Sequence, residues 1–212
     1  MKKKQIYLIL VFVFIAAVAG IIINYNNKKE EERNISYDLI ERKGELAKME
    51  EWKNVQQRSK VLLAAIKEDP QDTKSCLKLA ALFIEEARVT GNYMYYDKAA
   101  MKYINTVLKS EPGNFHALVF KSLIYLSQHH FAEGLATAKE AKQINPSNAY
   151  VYGLLVDGNV EMGYYDSAVV NADKMNAIRP DLTSYSRVSY LREIYGDYTG
   201  AIKAMKMAVE TG

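Results

Sequence analysis

The sequence predicts an all-α protein, in which an N-terminal transmembrane helix is followed by an α-solenoid of helix–turn–helix repeats. Two observations lead to this prediction. Pro112, Pro146 and Pro180 lie 34 residues apart, within the similar stretches SEPGN, INPSN and IRPDL. A fixed period of this length is typical of stacked helical hairpins. The second observation is an uncharged apolar run, Ile6 to Ile23, which is long enough to cross a bilayer.

The composition excludes or disfavours several classes of protein. Hydrophobic residues make up 49% of the 212 residues and charged residues 25%, as in folded chains rather than disordered ones. The net charge of +3 is small and both signs are interspersed, which argues against a nucleic-acid partner. The single cysteine, Cys76, excludes an internal disulfide and a cysteine-based metal cage. Its apolar surroundings predict a small buried hydrophobe.

The apolar run has the properties of a membrane anchor. Thirteen of its residues are Leu, Ile, Val or Phe, which favour insertion by roughly 4–8 kcal/mol. Lysines directly precede the run and favour a cytoplasmic N-terminus, although Lys28, Lys29 and Arg33 weaken that bias. We therefore expect a single-pass membrane protein with an extracytoplasmic array, which would be periplasmic in a Gram-negative source.

A cleaved signal peptide is the alternative to a retained anchor. Ala17-Val18-Ala19 ahead of Gly20 has the small-x-small form of a cleavage site. The apolar run nevertheless continues past this site through Ile21–Ile23, where a soluble mature protein would gain nothing from it. No cysteine lies nearby, which excludes a lipoprotein. The retained anchor is the favoured interpretation.

The rest of the chain is expected to be helical, because its four prolines fall at helix boundaries and no stretch alternates as a strand would. A helix is predicted over 50–69, with a partner helix over 38–49 and a buried face formed by Trp52 and the cluster 61–66. Another helix is predicted over 73–88. The interval from Pro70 to Pro112 is 42 residues, which predicts longer helices or an extended turn.

Two segments are near copies of each other, Gly163-Tyr-Tyr-Asp-Ser-Ala168 and Gly196-Asp-Tyr-Thr-Gly-Ala201. With the periodic alanines, tyrosines and prolines, they resemble the tetratricopeptide repeat over about 70–212. The departures from that pattern are Lys121, Val156, Asn159 and Arg192.

This resemblance divides the chain into segments. In order, they are a basic tail (1–5), a transmembrane signal anchor (6–23), a polar tether (24–33), a juxtamembrane helical pair that forms a degenerate repeat or cap (34–70), a first unit with longer helices or turn (71–114), and three further units (115–148, 149–182 and 183–212). The last unit ends at Gly212 without a polar capping helix, and we interpret the chain as a truncated or unusually short member of the family.

No catalytic signature is present, since the sequence contains no phosphate-binding glycine loop, no GxSxG and no HExxH. We therefore expect no enzyme activity, no cofactor and no metal. His129 and His130 are adjacent and point about 100° apart on a helix, so a structural or solvated pair is favoured over a metal site. Asp157 and Glu161 share a helical face, where a solvated acidic stripe is favoured over an acid–base pair. Most of the tyrosines fall at repeat positions, so their role is interpreted as packing rather than as the binding of a carbohydrate or aromatic ligand.

The resemblance implies that the first helix of each unit lines a concave groove for a protein or peptide of unknown identity. By register the groove is expected to include Lys74, Lys78, His116, Phe120, Leu123, Tyr150, Leu154, Asp157, Arg187 and Tyr190. The paired lysines and asparagines with which some family members bind a terminal carboxylate are not reproduced.

Three hypotheses of function follow. The first is a membrane-anchored scaffold that mediates protein–protein interactions through the groove. The second is the N-terminal part of a longer envelope enzyme or biogenesis factor, with its catalytic part beyond Gly212. The third is a secreted soluble module that binds a peptide or glycan after signal cleavage near Ala19.

Overall fold

The computed structural model describes residues 3–34 and 36–212, without the side chains of residues 3, 4, 6, 7 and 28–34. The first two residues of the predicted basic tail and Ile35 therefore lie outside the described residues. The described part of the chain contains eleven α-helices and no strand, so the all-α prediction is confirmed. It divides into two compact units, the first ending at Ile40 and the second spanning Glu41–Gly212.

The described residues of the first unit form one long helix, α1 (Lys3–Asn34), and the irregular residues 36–40. Within it, Leu8–Asn27 has a mean hydropathy of 2.7 and is long and apolar enough to cross a membrane. A signal sequence near an N-terminus has the same properties. The helix continues past the apolar run to Asn34, so the stretch assigned to a polar tether is itself helical.

The second unit contains the remaining ten helices. They are α2 (Glu45–Lys48), α3 (Glu50–Glu68), α4 (Thr73–Thr90), α5 (Tyr93–Ser110), α6 (Phe115–Ser127), α7 (Phe131–Ile144), α8 (Ala149–Glu161), α9 (Tyr165–Ile178), α10 (Leu182–Ile194) and α11 (Tyr198–Glu210).

The segment before α3 differs from the prediction. Of the helix expected over 38–49, only Glu45–Lys48 is helical, so 34–70 holds one long helix rather than a pair. Gly44, with φ +63°, and Met49, which is extended, confine α2 to a single turn. The preceding residues are irregular, because an isolated turn gains little from helix propagation.

The buried face of α3 also differs from the expected one. Trp52, Val55 and Ser59 are buried, whereas Val61 is 56% exposed. Trp52 and Val61 lie about 180° apart around a helix, so the stripe that packs on α4 cannot include both. The expectation of a buried 61–66 cluster is wrong, because Val61 and Ala64 are exposed and the other four residues are only partly buried.

Helices α4 to α11 form four hairpins, and each helix packs on the next in the chain. The first helices of successive hairpins (α4, α6, α8, α10) also contact one another, whereas no contacts of similar extent join the second helices (α5, α7, α9, α11) in the described part of the chain. The array therefore curves with its first helices on the inner side. Helices α4 and α5 have 18 residues each, against 13 or 14 in the later hairpins, which accounts for the 42-residue interval.

Local signals explain why the prolines mark the period. Each proline lies two residues after the end of a helix, and an Asp or Asn one or two residues later caps the following first helix through its side chain. These caps are Asp72, Asn114, Asn148 and Asp181. The turn inside each hairpin contains a residue with φ of +62° to +75°, which favours glycine. These residues are Gly91, His129, Gly163 and Gly196.

Candidate partner-binding groove

The inner surface of the array is formed by α4, α6, α8 and α10, and we call it the groove. The ten residues that the sequence assigned to this surface all lie on these four helices. They differ in exposure, however, and the structure separates them into surface residues, partly buried residues and one core residue.

Leu154 does not reach the groove surface. It is only 3% exposed and belongs to a core cluster with Leu118, Leu135 and Leu155. Its inclusion was wrong, because register places a residue on a helix but does not show how closely the neighbouring helices approach. Phe120 and Leu123 are partly buried and pack against the same cluster. They therefore support the groove from beneath more than they line it.

An ion pair joins two neighbouring first helices at the C-terminal part of the groove. Arg187 on α10 donates from Nε to Asp157 Oδ1 at 2.8 Å and from Nη2 to Asp157 Oδ2 at 2.6 Å, and its Nη1 donates to the Thr183 carbonyl at 3.2 Å. Two parallel bonds between guanidinium and carboxylate fix orientation as well as distance. The pair therefore sets the position of α10 against α8.

The surroundings of this pair leave space for the guanidinium. Arg187 lies against Gly153 of α8, where a Cβ atom would be 3.4 Å from Arg187 Cζ, an ordinary van der Waals distance. Burial lowers the pKa of Arg187, but the hydrogen bonds and charge of Asp157 more than offset it, so that the pKa is raised. The arginine is thus charged at every accessible pH.

Two tyrosines stand on the same helices as the ion pair. Tyr150 on α8 is 48% exposed and Tyr190 on α10 is 52% exposed. Exposed tyrosines beside a fixed polar pair provide a wide apolar contact area with a hydroxyl at its end, a combination enriched where proteins bind one another.

The other end of the groove is cationic. Lys74 and Lys78 are exposed on α4, one helical turn apart, and His116 is exposed on α6. The groove therefore runs from the two exposed lysines, past the half-buried Phe120, to the Asp157–Arg187 pair.

The remaining polar candidates have structural explanations. His129 occupies the positive-φ position of its turn, and its ring lies 5.3 Å from that of Phe131. The His130 ring packs edge-on against Tyr125 at 6.1 Å. Within the described residues no group of three or more His, Cys, Asp or Glu side chains could hold a metal ion. Cys76 is fully buried, as predicted.

Sequence analysis missed a second arginine pair, located outside the groove. Arg42 is 3% exposed and bonds to Glu86, which is 1% exposed, with 3.0 Å between Arg42 Nε and Glu86 Oε2. Its guanidinium also lies 4.9 Å from the ring centre of Trp52. The partners are 44 residues apart and Arg42 precedes the repeats, so no repeat pattern in the sequence relates them.

No family model matches this chain, and no curated protein sequence does either. Solved structures do. MamA has a TM-score of 0.61 at 17% identity, over 80% of this chain and 95% of its own. TTC0263, a TPR protein of Thermus thermophilus, has a TM-score of 0.61 at 18% identity, over 73% of this chain and 81% of its own.

A tetratricopeptide repeat protein from Parabacteroides merdae gives a TM-score of 0.63 at 15% identity, over 76% of this chain and 60% of its own. The chain has the tetratricopeptide-repeat fold. This confirms the predicted architecture, in which an apolar helix precedes an α-solenoid. At such low identity the likeness concerns the fold, and the role of the groove has to be argued from its own residues.

Proposed function

We propose that this protein is a membrane-anchored scaffold that binds a protein partner in the groove. The observation that carries the proposal is the Asp157–Arg187 pair, which connects α8 to α10, the two helices that carry the exposed Tyr150 and Tyr190. Such an arrangement presents a rigid, partly apolar surface, and rigid surfaces lose little conformational entropy on binding.

The partner proposed for this groove is a polypeptide. Aromatic anchors at successive first helices suit a helix or an extended segment, whose side chains recur at similar spacing. The lysines at the α4 end would favour acidic residues at one end of that segment. The proposal involves no catalytic step, cofactor, metal or nucleic acid.

The anchor part of the proposal rests on α1. Its stretch Leu8–Asn27 contains 20 residues, and roughly 20 apolar helical residues span the hydrocarbon core. The proposed topology places the N-terminus in the cytoplasm and the array outside it. Fractionation with carbonate washing and protease accessibility test this directly, and a soluble mature chain beginning at Gly20 would overturn the anchor.

Site-specific photo-crosslinking tests the groove. A photoreactive phenylalanine analogue at Tyr190 in the full-length protein should crosslink to one partner band in native membranes. The same analogue at Val170, which is 68% exposed on α9, serves as the matched control and should not. Equal crosslinking from both positions would contradict the groove.

A substitution pair adds a quantitative test. Tyr150→Ala with Tyr190→Ala should reduce the crosslinked band, detected from a third groove position such as His116, while helical circular dichroism stays unchanged. The predicted contact residue Phe120 is unsuitable for this purpose, because it packs on the core and its removal would also lower stability.

A further inference from the structure

A cleft of about 490 Å³ lies between α9 and α10, on a side of α10 that does not belong to the groove. Its floor is aliphatic and consists of Val169 and Ala172 from α9 with Val188 and Leu191 from α10. The α10 residues that line it are centred roughly 120° around the helix axis from the midpoint of Arg187 and Tyr190, although Leu191 alone lies only about 40° from Arg187. Neither Arg187 nor Tyr190 lines the cleft. The cleft and the groove are therefore separate surfaces.

Two residue differences between successive helix junctions explain the cleft. At the matching junction one hairpin earlier, a Cβ at Gly158 would lie 3.2 Å from the Cβ of Leu135, so α7 and α8 approach closely. At the cleft, Leu191 takes the place of Gly158 and Val169 takes the place of Leu135. The leucine holds α10 away from α9, and the smaller valine leaves the space between them unfilled.

The rim of the cleft is acidic. Asp166 and Asp173 extend from α9, and Asp197 from the turn before α11. The one cation in the lining, Arg192, is bound to Asp197 with 2.7 Å between Nη1 and Oδ2. Two carboxylates of the rim are therefore not balanced by a cation, although the chain as a whole carries +3.

The two unbalanced carboxylates retain acceptor capacity. Tyr195 donates its hydroxyl to Asp166 Oδ1 at 2.8 Å, which leaves the second oxygen of Asp166 open. This hydrogen bond raises the pKa of Tyr195. Asp173 makes no hydrogen bond or ion pair within the described part of the chain. Both carboxylates face a space with an apolar floor.

We propose that this cleft binds a basic side chain of a partner polypeptide, with the aliphatic stem on Val169, Val188 and Leu191 and the cationic head between Asp166 and Asp173. Arginine and lysine are the side chains that combine a long apolar stem with a terminal cation. Arginine is the better fit, because its planar fork can donate two parallel N–H bonds to a carboxylate. The inference does not depend on the groove, and a partner could occupy either site alone.

The test uses the full-length protein in non-ionic detergent and a fluorescent peptide of alternating leucine and arginine. The same peptide with citrulline in place of arginine keeps the shape and removes the charge. Fluorescence anisotropy should show about tenfold tighter binding of the arginine peptide, as expected for two partly exposed charge pairs. Methyl NMR should show shifts at Val169, Val188 and Leu191.

Three variants distinguish this site from general charge attraction. Asp166→Asn with Asp173→Asn should abolish the preference for arginine over citrulline. Val169→Leu restores the residue type of the earlier junction, fills the cleft without a change in charge, and should weaken both peptides. Glu140→Gln removes an exposed carboxylate from α7 and should leave binding unchanged.

Several outcomes would overturn the proposal. They are a preference for arginine that survives the double aspartate substitution, an equal loss in Glu140→Gln, or methyl shifts confined to the groove. Circular dichroism of each variant shows that the fold is retained. Tyr190→Ala should not affect this binding, so failure of the groove and failure of the cleft give different results.

Discussion

The two ends of the helical array differ in how fully they bury their apolar side chains. At the N-terminal end, Phe83 and Tyr96 are fully buried and Tyr103 is 4% exposed, with stacked and tilted ring contacts between them. Helix α3 covers this end and adds Trp52 to the core. At the C-terminal end, α11 buries only alanines, while Ile202 is 59% and Val209 73% exposed.

The exposed residues of α11 form one stripe. Tyr198, Ile202, Met205 and Val209 recur at intervals of four and three residues and so lie on one side of the helix. A helix like α3 would cover such a stripe. Because repeat arrays gain stability from nearest-neighbour contacts, the difference implies that the N-terminal hairpin is the most stable and that the C-terminal hairpin opens first.

Removal of Arg42 should produce one of the largest effects. Arg42→Ala leaves the Glu86 carboxylate buried without its cation and should lower the free energy of unfolding of the N-terminal end by about 3–5 kcal/mol. Urea denaturation of the full-length protein in detergent, followed by Trp52 fluorescence, measures this locally.

Two controls accompany the Arg42 experiment. Lys48→Ala removes the cation of a fully solvated pair with Glu45 and should change stability by less than about 0.5 kcal/mol. The double change Arg42→Met with Glu86→Leu should recover most of the loss, because it removes both charges. A loss below about 1 kcal/mol in Arg42→Ala would contradict the assigned role.

A pair of identical substitutions compares the two cores. Leu79→Ala in α4 should cost about 4–5 kcal/mol, because Leu79 is fully buried and its neighbours cannot close the cavity. Leu191→Ala in α10 should cost only about 2–3 kcal/mol, since Leu191 already borders the open cleft. Urea denaturation followed by circular dichroism measures both. Equal losses would show that the C-terminal core is as tightly packed as the N-terminal one.

The features that recur in every hairpin can be predicted from the sequence. Proline spacing and the Asp or Asn caps determine where the hairpins begin, and helical periodicity shows which side of each helix is apolar. It does not show how far adjacent helices separate, because that depends on single contacts such as Gly158 against Leu135. For the same reason Leu154 was placed in the groove although it lies in the core.

The two arginine pairs could not be predicted either, because tertiary packing brings their partners together without a local signal in the sequence. Asp157 and Arg187 are 30 residues apart, one helical turn out of register with the repeat, and the acidic residue was interpreted as part of a solvated stripe. The helix predicted over 38–49 is absent apart from Glu45–Lys48. Arg42 instead makes tertiary contacts with Glu86 and Trp52, and such contacts leave no local signal in the sequence.

A pH experiment examines the buried acid of the N-terminal hairpin. Asp97 is 4% exposed, and burial raises its pKa despite hydrogen bonds from Gln128 and Ser127. The folded state therefore binds this proton more tightly than the unfolded state. The stability this provides is fully present below the unfolded pKa, about 3.9, and is lost as the pH rises through the folded pKa.

Asp97→Asn keeps the oxygen acceptor and removes the charge. Its thermal midpoint at pH 7 should exceed that of the wild type by about 1–3 °C, and the two should converge as the pH falls below about 4. Thermal denaturation followed by circular dichroism at both pH values provides the check. A variant that is less stable at pH 7 would show that the ionised carboxylate stabilises the hairpin.

The smallest effect is expected at the exposed stripe. Ile202→Lys with Val209→Lys should change the free energy of unfolding by no more than about 0.5 kcal/mol, because these side chains already face solvent. Ala204→Lys, 6% exposed on the other side of α11, is the matched control and should disrupt the last hairpin. A large loss in the double variant would mean that the stripe is covered in the folded protein.

The isolated thiol of Cys76 makes this protein convenient for labelling chemistry. The side chain has no exposed surface, and burial raises its pKa to about 11, so almost no reactive thiolate exists at neutral pH. A cysteine introduced at a solvent-facing position would thus be the only one to accept a probe, without prior removal of the native residue. The native thiol would react only when α4 separates from its neighbours. Its alkylation rate would therefore report how often that separation occurs.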